Sequence, residues 1–116
     1  MKPFSKSVVL VADNDGVSKQ PVDCLLAQGA TMRTCTTKWP VARFAFNNGL
    51  AKLAKARRFG FLNVRGWFCY QRECPMVVGN TIVYRDTGHI TATYALALTA
   101  AFRSAFRSCI LDACPR

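Results

Sequence analysis

The chain has 116 residues, of which 51% are hydrophobic, and its 16 lysines and arginines against six aspartates and glutamates give a formal net charge of +10. This length is enough for one domain and too short for two, and the hydrophobic content excludes an intrinsically disordered chain. No apolar run reaches the length of a transmembrane helix. We therefore expect one basic globular domain, whose charge would attract polyanions such as nucleic acid or acidic glycans.

The first part of the chain predicts a strand and two helices. Residues 7–12, SVVLVA, are a short valine-rich run typical of a strand that is covered on both faces, as in a parallel sheet. A short helix is expected over 22–27. A longer helix is expected over 40–58, because Pro40 suits a first helical turn, an apolar stripe follows one side, and Gly60 can end it. That stripe consists of Val41, Ala45, Leu50, Leu53 and Ala54.

The second part predicts a strand, a hairpin and a final helix. FGFLNV, residues 59–64, indicates a second buried strand, and MVVGNTIVYR, residues 76–85, contains two extended pieces about a Gly-Asn turn. The last helix is expected over 91–108 with Thr91 as its N-cap. One side of this helix, at helical spacing, carries Ile90, Tyr94, Ala97, Leu98, Ala101, Phe102, Ala105 and Phe106, with Arg103 and Arg107 on the other side. This order of elements predicts an α/β fold with at least one right-handed crossover.

The six cysteines fall into three local pairs, which are Cys24 with Cys35, Cys69 with Cys74, and Cys109 with Cys114. Local pairing is the simplest of the fifteen pairings that six cysteines permit, and disulfides would imply an oxidising compartment. The alternative is that the cysteines are small buried apolar groups. We favour disulfides for the first two pairs and leave the last pair open. Neither C-x4-C stretch suits structural zinc, so no metal is expected.

The N-terminus and the cysteines indicate different cellular compartments. MKPFSKSVVLVAD has positive charges and then only VVLVA before Asp13, which is shorter than the apolar region of a signal peptide. A chain expressed as written would therefore be expected to stay in the cytoplasm, whereas its cysteines indicate the outside of a cell.

The only histidine, His89, follows Asp86 by three residues in YRDTGHITATYALAL, residues 84–98. In a functional interpretation, His89 is a general base, and Asp86 fixes its tautomer and stabilises its protonated form. In the alternative, Asp86 caps a turn and His89 is an incidental surface residue. The pair follows the last extended segment, so in an open α/β sheet it should lie beyond the carboxyl ends of the strands, where functional sites gather.

The longer stretch CPMVVGNTIVYRDTGHITATYALAL resembles the C-terminal block of the SGNH-hydrolase superfamily. It is most similar to the extracytoplasmic SGNH domain fused to membrane-bound acyltransferase-3 proteins of the actinobacterial type. In that family a cysteine-containing loop and a short turn precede a Tyr-Arg-Asp-x-x-His-Ile/Leu-Thr/Ser motif and a final helix. The matching positions are Cys74, the Gly79-Asn80 turn, Tyr84, Arg85, Asp86, His89, Ile90, Thr91 and Tyr94. Earlier stretches of the same domain are similar to FGFLNVRGWFCYQRECP, VVLVADND, PVDC and MRTCT. Residues 1–102 therefore resemble the C-terminal portion of an SGNH domain, and residues 103–116 form an unassigned tail.

The resemblance implies a partial flavodoxin-like, three-layer α/β fold, with a short parallel sheet and flanking helices. It also implies an extracytoplasmic O-acyltransferase or esterase that acts on cell-surface carbohydrate without a cofactor, with Asp86 and His89 as two members of a Ser-His-Asp triad. The first two cysteine pairs would be disulfides on the outer side of the plasma membrane. The implied partners are an N-terminal SGNH half or a membrane acyltransferase domain.

The family's nucleophile is the serine of a Gly-Asp-Ser motif, which this sequence lacks. Ser18, in DGVSKQ, is the only serine at a plausible sheet edge. The family's oxyanion donors are a glycine and an asparagine, and Asn14 in ADND matches only the asparagine because Ala12 stands at the glycine position. We therefore predict that the chain is the C-terminal half of an SGNH domain, from a truncated or split gene, and is inactive alone.

A function of another class rests on the densest basic group, in LAKARRFG. The four basic side chains of this group could make the chain a small module that binds nucleic acid or acidic polymers. This alternative is less favoured, because no nucleic-acid-binding motif accompanies the charges and such residues usually cover a solvated helix face. The residues are Lys52, Lys55, Arg57 and Arg58.

Overall fold

The computed structural model describes residues 8–39 and 43–110. Short strands and helices alternate along these residues, and a 3-10 turn at Arg65–Trp67 follows the third strand. In chain order the elements are β1 (Val9–Val11), α1 (Pro21–Leu25), β2 (Thr37–Lys38), α2 (Phe44–Arg57), β3 (Gly60–Leu62), β4 (Glu73–Cys74), β5 (Val77–Val78), β6 (Thr81–Ile82), α3 (Ala92–Ala97) and α4 (Thr99–Ile110).

The two apolar runs form the parallel pair that the sequence predicts. Leu10 of β1 lies opposite Phe61 of β3, and the ladder continues past the strands because the Ala12 N–H donates to the Leu62 carbonyl at 3.0 Å. Helix α2 packs on both strands and α4 packs on β3. The α/β class, with a short parallel sheet and flanking helices, is therefore confirmed.

Helix α2 begins and ends differently from the prediction. It begins at Phe44, while residues 40–42, which include Pro40 and Val41, lie outside the described residues. It ends at Arg57, and Arg58 follows as the C-cap in a left-handed conformation with φ 56°, whereas Gly60 is already the first residue of β3. The predicted stripe is only partly correct, because Ala54 is buried and Leu53 is exposed.

The predicted last helix is two helices. Thr91 caps α3 as predicted, with its hydroxyl accepting the Tyr94 N–H at 3.1 Å, but α3 ends at Ala97 with Leu98 as its C-cap, and α4 begins at Thr99. Tyr94 is buried, whereas Phe102 and Phe106 are 41% and 38% exposed, so the apolar side predicted from the sequence is only partly buried.

Disulfides and short antiparallel pairs hold the loops onto this core. Cys24–Cys35 and Cys69–Cys74 are disulfides, as favoured from the sequence, and β4 places Cys74 opposite Thr37 of β2. The cysteine at position 109 is also disulfide-bonded, while position 114 lies outside the described residues. The predicted hairpin is β5 and β6, paired through Val77 and Ile82.

Candidate functional site

A closed loop carries the predicted Asp-x-x-His pair. Tyr84 and Ile90 form an antiparallel bridge, and the Arg85 N–H donates to the His89 carbonyl at 2.8 Å. The Thr91 N–H donates to the Val83 carbonyl at 2.8 Å. The loop 86–89 therefore projects from a short pair of extended segments directly before α3.

Within this loop the carboxylate of Asp86 binds the imidazole of His89. Nδ1 of His89 lies 2.9 Å from Oδ1 and 3.0 Å from Oδ2 of Asp86. Oδ1 also accepts the backbone N–H groups of Gly88 at 2.9 Å and of His89 at 2.8 Å. These hydrogen bonds, the one from Gly88 first, hold the pKa of Asp86 below its ordinary value. Both groups face solvent, with the His89 side chain 67% exposed.

The loop that follows β1 lies against the Asp-His loop. The side-chain amide of Asn14 donates to the Gly88 carbonyl at 3.1 Å, and the backbone N–H of Val17 donates to the Thr87 carbonyl at 3.0 Å. Asn14, which the sequence matched only in part to the family's asparagine, thus lies one peptide from His89. The parallel pairing of β1 and β3 places this loop at the carboxyl end of the sheet, where the sequence predicted a site.

Arg43 joins the two loops, and sequence reasoning missed it. Its Nη1 donates to the Gly88 carbonyl at 3.1 Å and to Oδ1 of Asn14 at 3.3 Å, while its Nε forms an ion pair with Asp13 at 2.9 Å. A Cβ on Gly88 would lie 2.6 Å from Nη2 of Arg43, so the glycine leaves room for the guanidinium. An arginine just before an apolar helix carries no signal in the sequence that could have indicated this contact.

The family model of the SGNH domain that is fused to AT3 domains matches residues 2–104. The chain belongs to this SGNH domain family. The match confirms the resemblance carried by the Tyr-Arg-Asp-x-x-His stretch to the SGNH domain that is fused to AT3 domains. No curated protein and no solved structure shows significant similarity to the chain.

A buried ion pair between Asp15 and Arg65 anchors the loop that follows β1. Asp15 is fully buried and its Oδ1 lies 3.3 Å from Nε of Arg65, whose guanidinium stacks 5.0 Å from the ring centroid of Trp39 and 4.5 Å from that of Phe44. Burial raises the pKa of Asp15, and the positive charge of Arg65 opposes part of that rise. The backbone carbonyl of Asp15 also accepts the Arg43 N–H at 3.2 Å, which ties this buried pair to the residue that joins the loops.

Other residues singled out from the sequence lie apart from this arrangement. Ser18 is exposed and its Oγ lies 3.2 Å from Oγ1 of Thr37, so its hydrogen-bond partner is not His89. The basic group of α2 is solvent-exposed at all four positions. Among residues 8–39 and 43–110, no group of three potential ligands could hold a metal ion, and no helix has the length and apolarity to cross a membrane.

Proposed function

We propose that this chain is part of an extracytoplasmic SGNH-type O-acyltransferase or esterase domain that acts on cell-surface carbohydrate. In this proposal Asp86 and His89 supply two members of a Ser-His-Asp triad. The observation that carries it is the hydrogen bond between the Asp86 carboxylate and Nδ1 of His89. Two backbone N–H groups donate to the same carboxylate and fix its orientation. Membership of the SGNH family supports the reaction class.

The geometry supports one division of labour between the two side chains. With Nδ1 donating to Asp86, the neutral imidazole carries its proton on Nδ1 and offers the lone pair of Nε2 as the base. His89 would remove the proton of a serine hydroxyl as the serine attacks an ester carbonyl, and Asp86 would stabilise the imidazolium that forms. His89 would then return the proton to the leaving alcohol.

The serine and most of the oxyanion hole would come from outside this sequence. The sequence has no Gly-Asp-Ser motif, and Asn14, whose side-chain amide contacts the Gly88 carbonyl, is the candidate oxyanion donor among the described residues. Losing a triad nucleophile costs several powers of ten in rate, so we propose that the chain alone has no acyl-transfer activity. Its partner would be an N-terminal SGNH half or the membrane acyltransferase domain of the parent protein.

The cysteines support a position on the outer side of the plasma membrane in the parent protein. Cys24–Cys35, Cys69–Cys74 and the bond at Cys109 are disulfides. Disulfides persist mainly in oxidising compartments. The family's fusion to membrane acyltransferases offers a route by which a domain could reach that compartment.

The test measures hydrolysis of p-nitrophenyl acetate by the chain alone and after co-expression with a Gly-Asp-Ser half from a full-length family member. Alone, the chain should hydrolyse the ester no faster than an equal concentration of imidazole. The complex should be at least about a hundredfold faster and should lose this gain in His89→Ala. Thr93→Ala, an exposed change on α3, is the matched control.

Two results would refute this function. One is hydrolysis by the chain alone that is abolished by both His89→Ala and Ser18→Ala, because the nucleophile would then be internal. The other is a stable, active complex whose activity His89→Ala leaves unchanged, because the pair would then have no part in the reaction.

A further inference from the structure

An apolar groove of about 750 Å³ lies between α4 and the carboxyl ends of β1 and β3. This volume falls within the range of about 300–1,000 Å³ that is usual for small-molecule sites. Its walls are formed mainly by Val64, Trp67, Phe68, Leu98, Phe102 and Phe106. The groove is therefore large enough, and apolar enough, to take a hydrocarbon chain.

Two aromatic rings on α4 make the outer wall of the groove. Phe102 and Phe106 stack with ring centroids 5.8 Å apart and ring planes 8° apart, and Trp67 meets Phe102 edge-on at 6.3 Å. Both phenylalanines keep more than a third of their surface in water. Covering exposed aromatic surface with an apolar group removes it from water, which favours binding.

The charge of the groove selects the kind of molecule that could cover it. Arg103 and Arg107 line the groove on the same helix, four residues apart and so on one side of α4. No acidic side chain of the described residues lines the groove, and neither arginine forms an ion pair with a described residue. An apolar surface beside two uncompensated guanidinium groups is complementary to an apolar chain that ends in an anion.

We propose that this groove binds a single-chain anionic amphiphile, with the hydrocarbon chain against Trp67, Phe102 and Phe106 and the anionic head at Arg103 and Arg107. The inference goes beyond the proposed acyl transfer and does not depend on it. Asn14, whose amide contacts the Gly88 carbonyl, also lines the groove, so a bound chain would lie beside the candidate site.

Calorimetric titration of the full chain with decanoate, below its micelle concentration, tests the head group and the tail separately. Decanoate should bind at one site, and octanoate should bind more weakly by up to about fourfold for each methylene removed. Decyltrimethylammonium, which has the same chain and the opposite charge, should bind at least about tenfold more weakly than decanoate. Acetate, which has no chain, should give no saturable binding.

Paired variants locate the binding in the groove. Arg103→Gln with Arg107→Gln should weaken decanoate binding by about tenfold or more, because both partners of the head group are lost. Arg57→Gln with Arg58→Gln removes the same charge from α2 and should change the affinity by less than about twofold. Phe106→Ser should weaken binding, whereas Phe46→Ser, at an even more exposed phenylalanine on α2, should not.

The variants need a check of folding, and several results would overturn the proposal. Thermal melts by circular dichroism must show each variant folded, and the arginine pair keeps the test usable should Phe106→Ser unfold. Equal losses in both arginine pairs would mean attraction by net charge only, and equal binding of decyltrimethylammonium would remove the role of the arginines. Binding to phosphatidylglycerol vesicles that decanoate does not compete with would show that the groove contacts a membrane instead. A dimer that Phe106→Ser dissociates would show that the groove binds a second copy of the chain.

Discussion

Asp86 uses one oxygen, Oδ1, to accept three hydrogen bonds, from the backbone N–H of Gly88, the backbone N–H of His89 and the imidazole of His89. The backbone bonds fix the carboxylate, and the carboxylate in turn fixes the ring. The sequence presented a choice between a capping aspartate and a base-orienting aspartate. In the structure the same side chain makes both sets of contacts, so capping the turn does not prevent Asp86 from orienting the His89 ring.

Asp86→Asn should change the response of the fold to acid. Because the pKa of Asp86 is lowered on folding from an ordinary value of 3.8, its carboxylate stabilises the fold above about pH 4 and loses this contribution as the pH falls through the lower, folded pKa. Urea unfolding at several pH values should therefore show a stability difference between the parent and the variant that shrinks as the pH falls below about 4. A difference that grows in acid would contradict the lowered pKa.

Gly88→Ala should disturb the contact between the two loops through Arg43. The added Cβ would lie 2.6 Å from Nη2, and the guanidinium, as the end of a flexible side chain, can move away only by giving up the Gly88 carbonyl. We expect a loss of about 1 kcal/mol in the free energy of unfolding. In an Arg43→Gln background the same change should cost clearly less, and additive losses in this double-mutant cycle would show that the two residues are not coupled.

At the scale of elements, capping was predictable and helix continuity was not. Thr91 was identified because a hydroxyl at an N-cap can accept a backbone N–H three residues on. The break at Leu98 has no proline or glycine to announce it, since Leu98 keeps a right-handed conformation with φ −85° and ψ −3°. The apolar pattern continues across the break, so periodicity alone treats α3 and α4 as one helix.

Thr91→Ala should destabilise the fold more than its exposure suggests. The Thr91 hydroxyl accepts the Tyr94 N–H and donates to the Ile82 carbonyl at 2.6 Å, so it joins α3 to the hairpin as well as capping the helix. A loss of about 1–2 kcal/mol is expected in chemical denaturation. Thr93→Ala, at the exposed second residue of the same helix, is the matched control and should stay within about 0.5 kcal/mol of the parent.

At the scale of the whole molecule, the parallel sheet is very small and the disulfides hold much of the rest. Only three residues of β1 pair with three of β3, and the segments 12–39 and 63–91 are mostly loops and short pairs. Cys24–Cys35 and Cys69–Cys74 each close one of these loop regions. The fold should therefore depend strongly on its oxidation state.

Replacing Cys24 and Cys35 together by alanine should lower the free energy of unfolding by about 3 kcal/mol. The bond closes a separation of 11 residues, for which the chain-entropy account predicts roughly that amount. Urea denaturation of the parent and the variant measures the loss. A reductant added to the parent should cost at least as much, and a variant within about 0.5 kcal/mol of the parent would show that the bond contributes little.

The sequence by itself determined the features that depend on neighbours along the chain. These are the Asp86–His89 pair at a spacing of three, the Thr91 cap, the local disulfides and the valine-rich strand, together with the motif that led to the SGNH family. Each is local because the interacting groups are held within reach by a few residues of backbone. This is why spacing and residue type sufficed to predict them.

Only the tertiary structure decided how distant segments meet. Asn14 and Gly88 are separated by 74 residues and Arg43 and Gly88 by 45, yet they share one set of hydrogen bonds. The groove, with Phe102 and Phe106 exposed beside two arginines, likewise follows from the direction that α4 takes after Leu98. Such contacts depend on the path of the whole chain and on the space left between packed elements, which no local pattern of residues specifies.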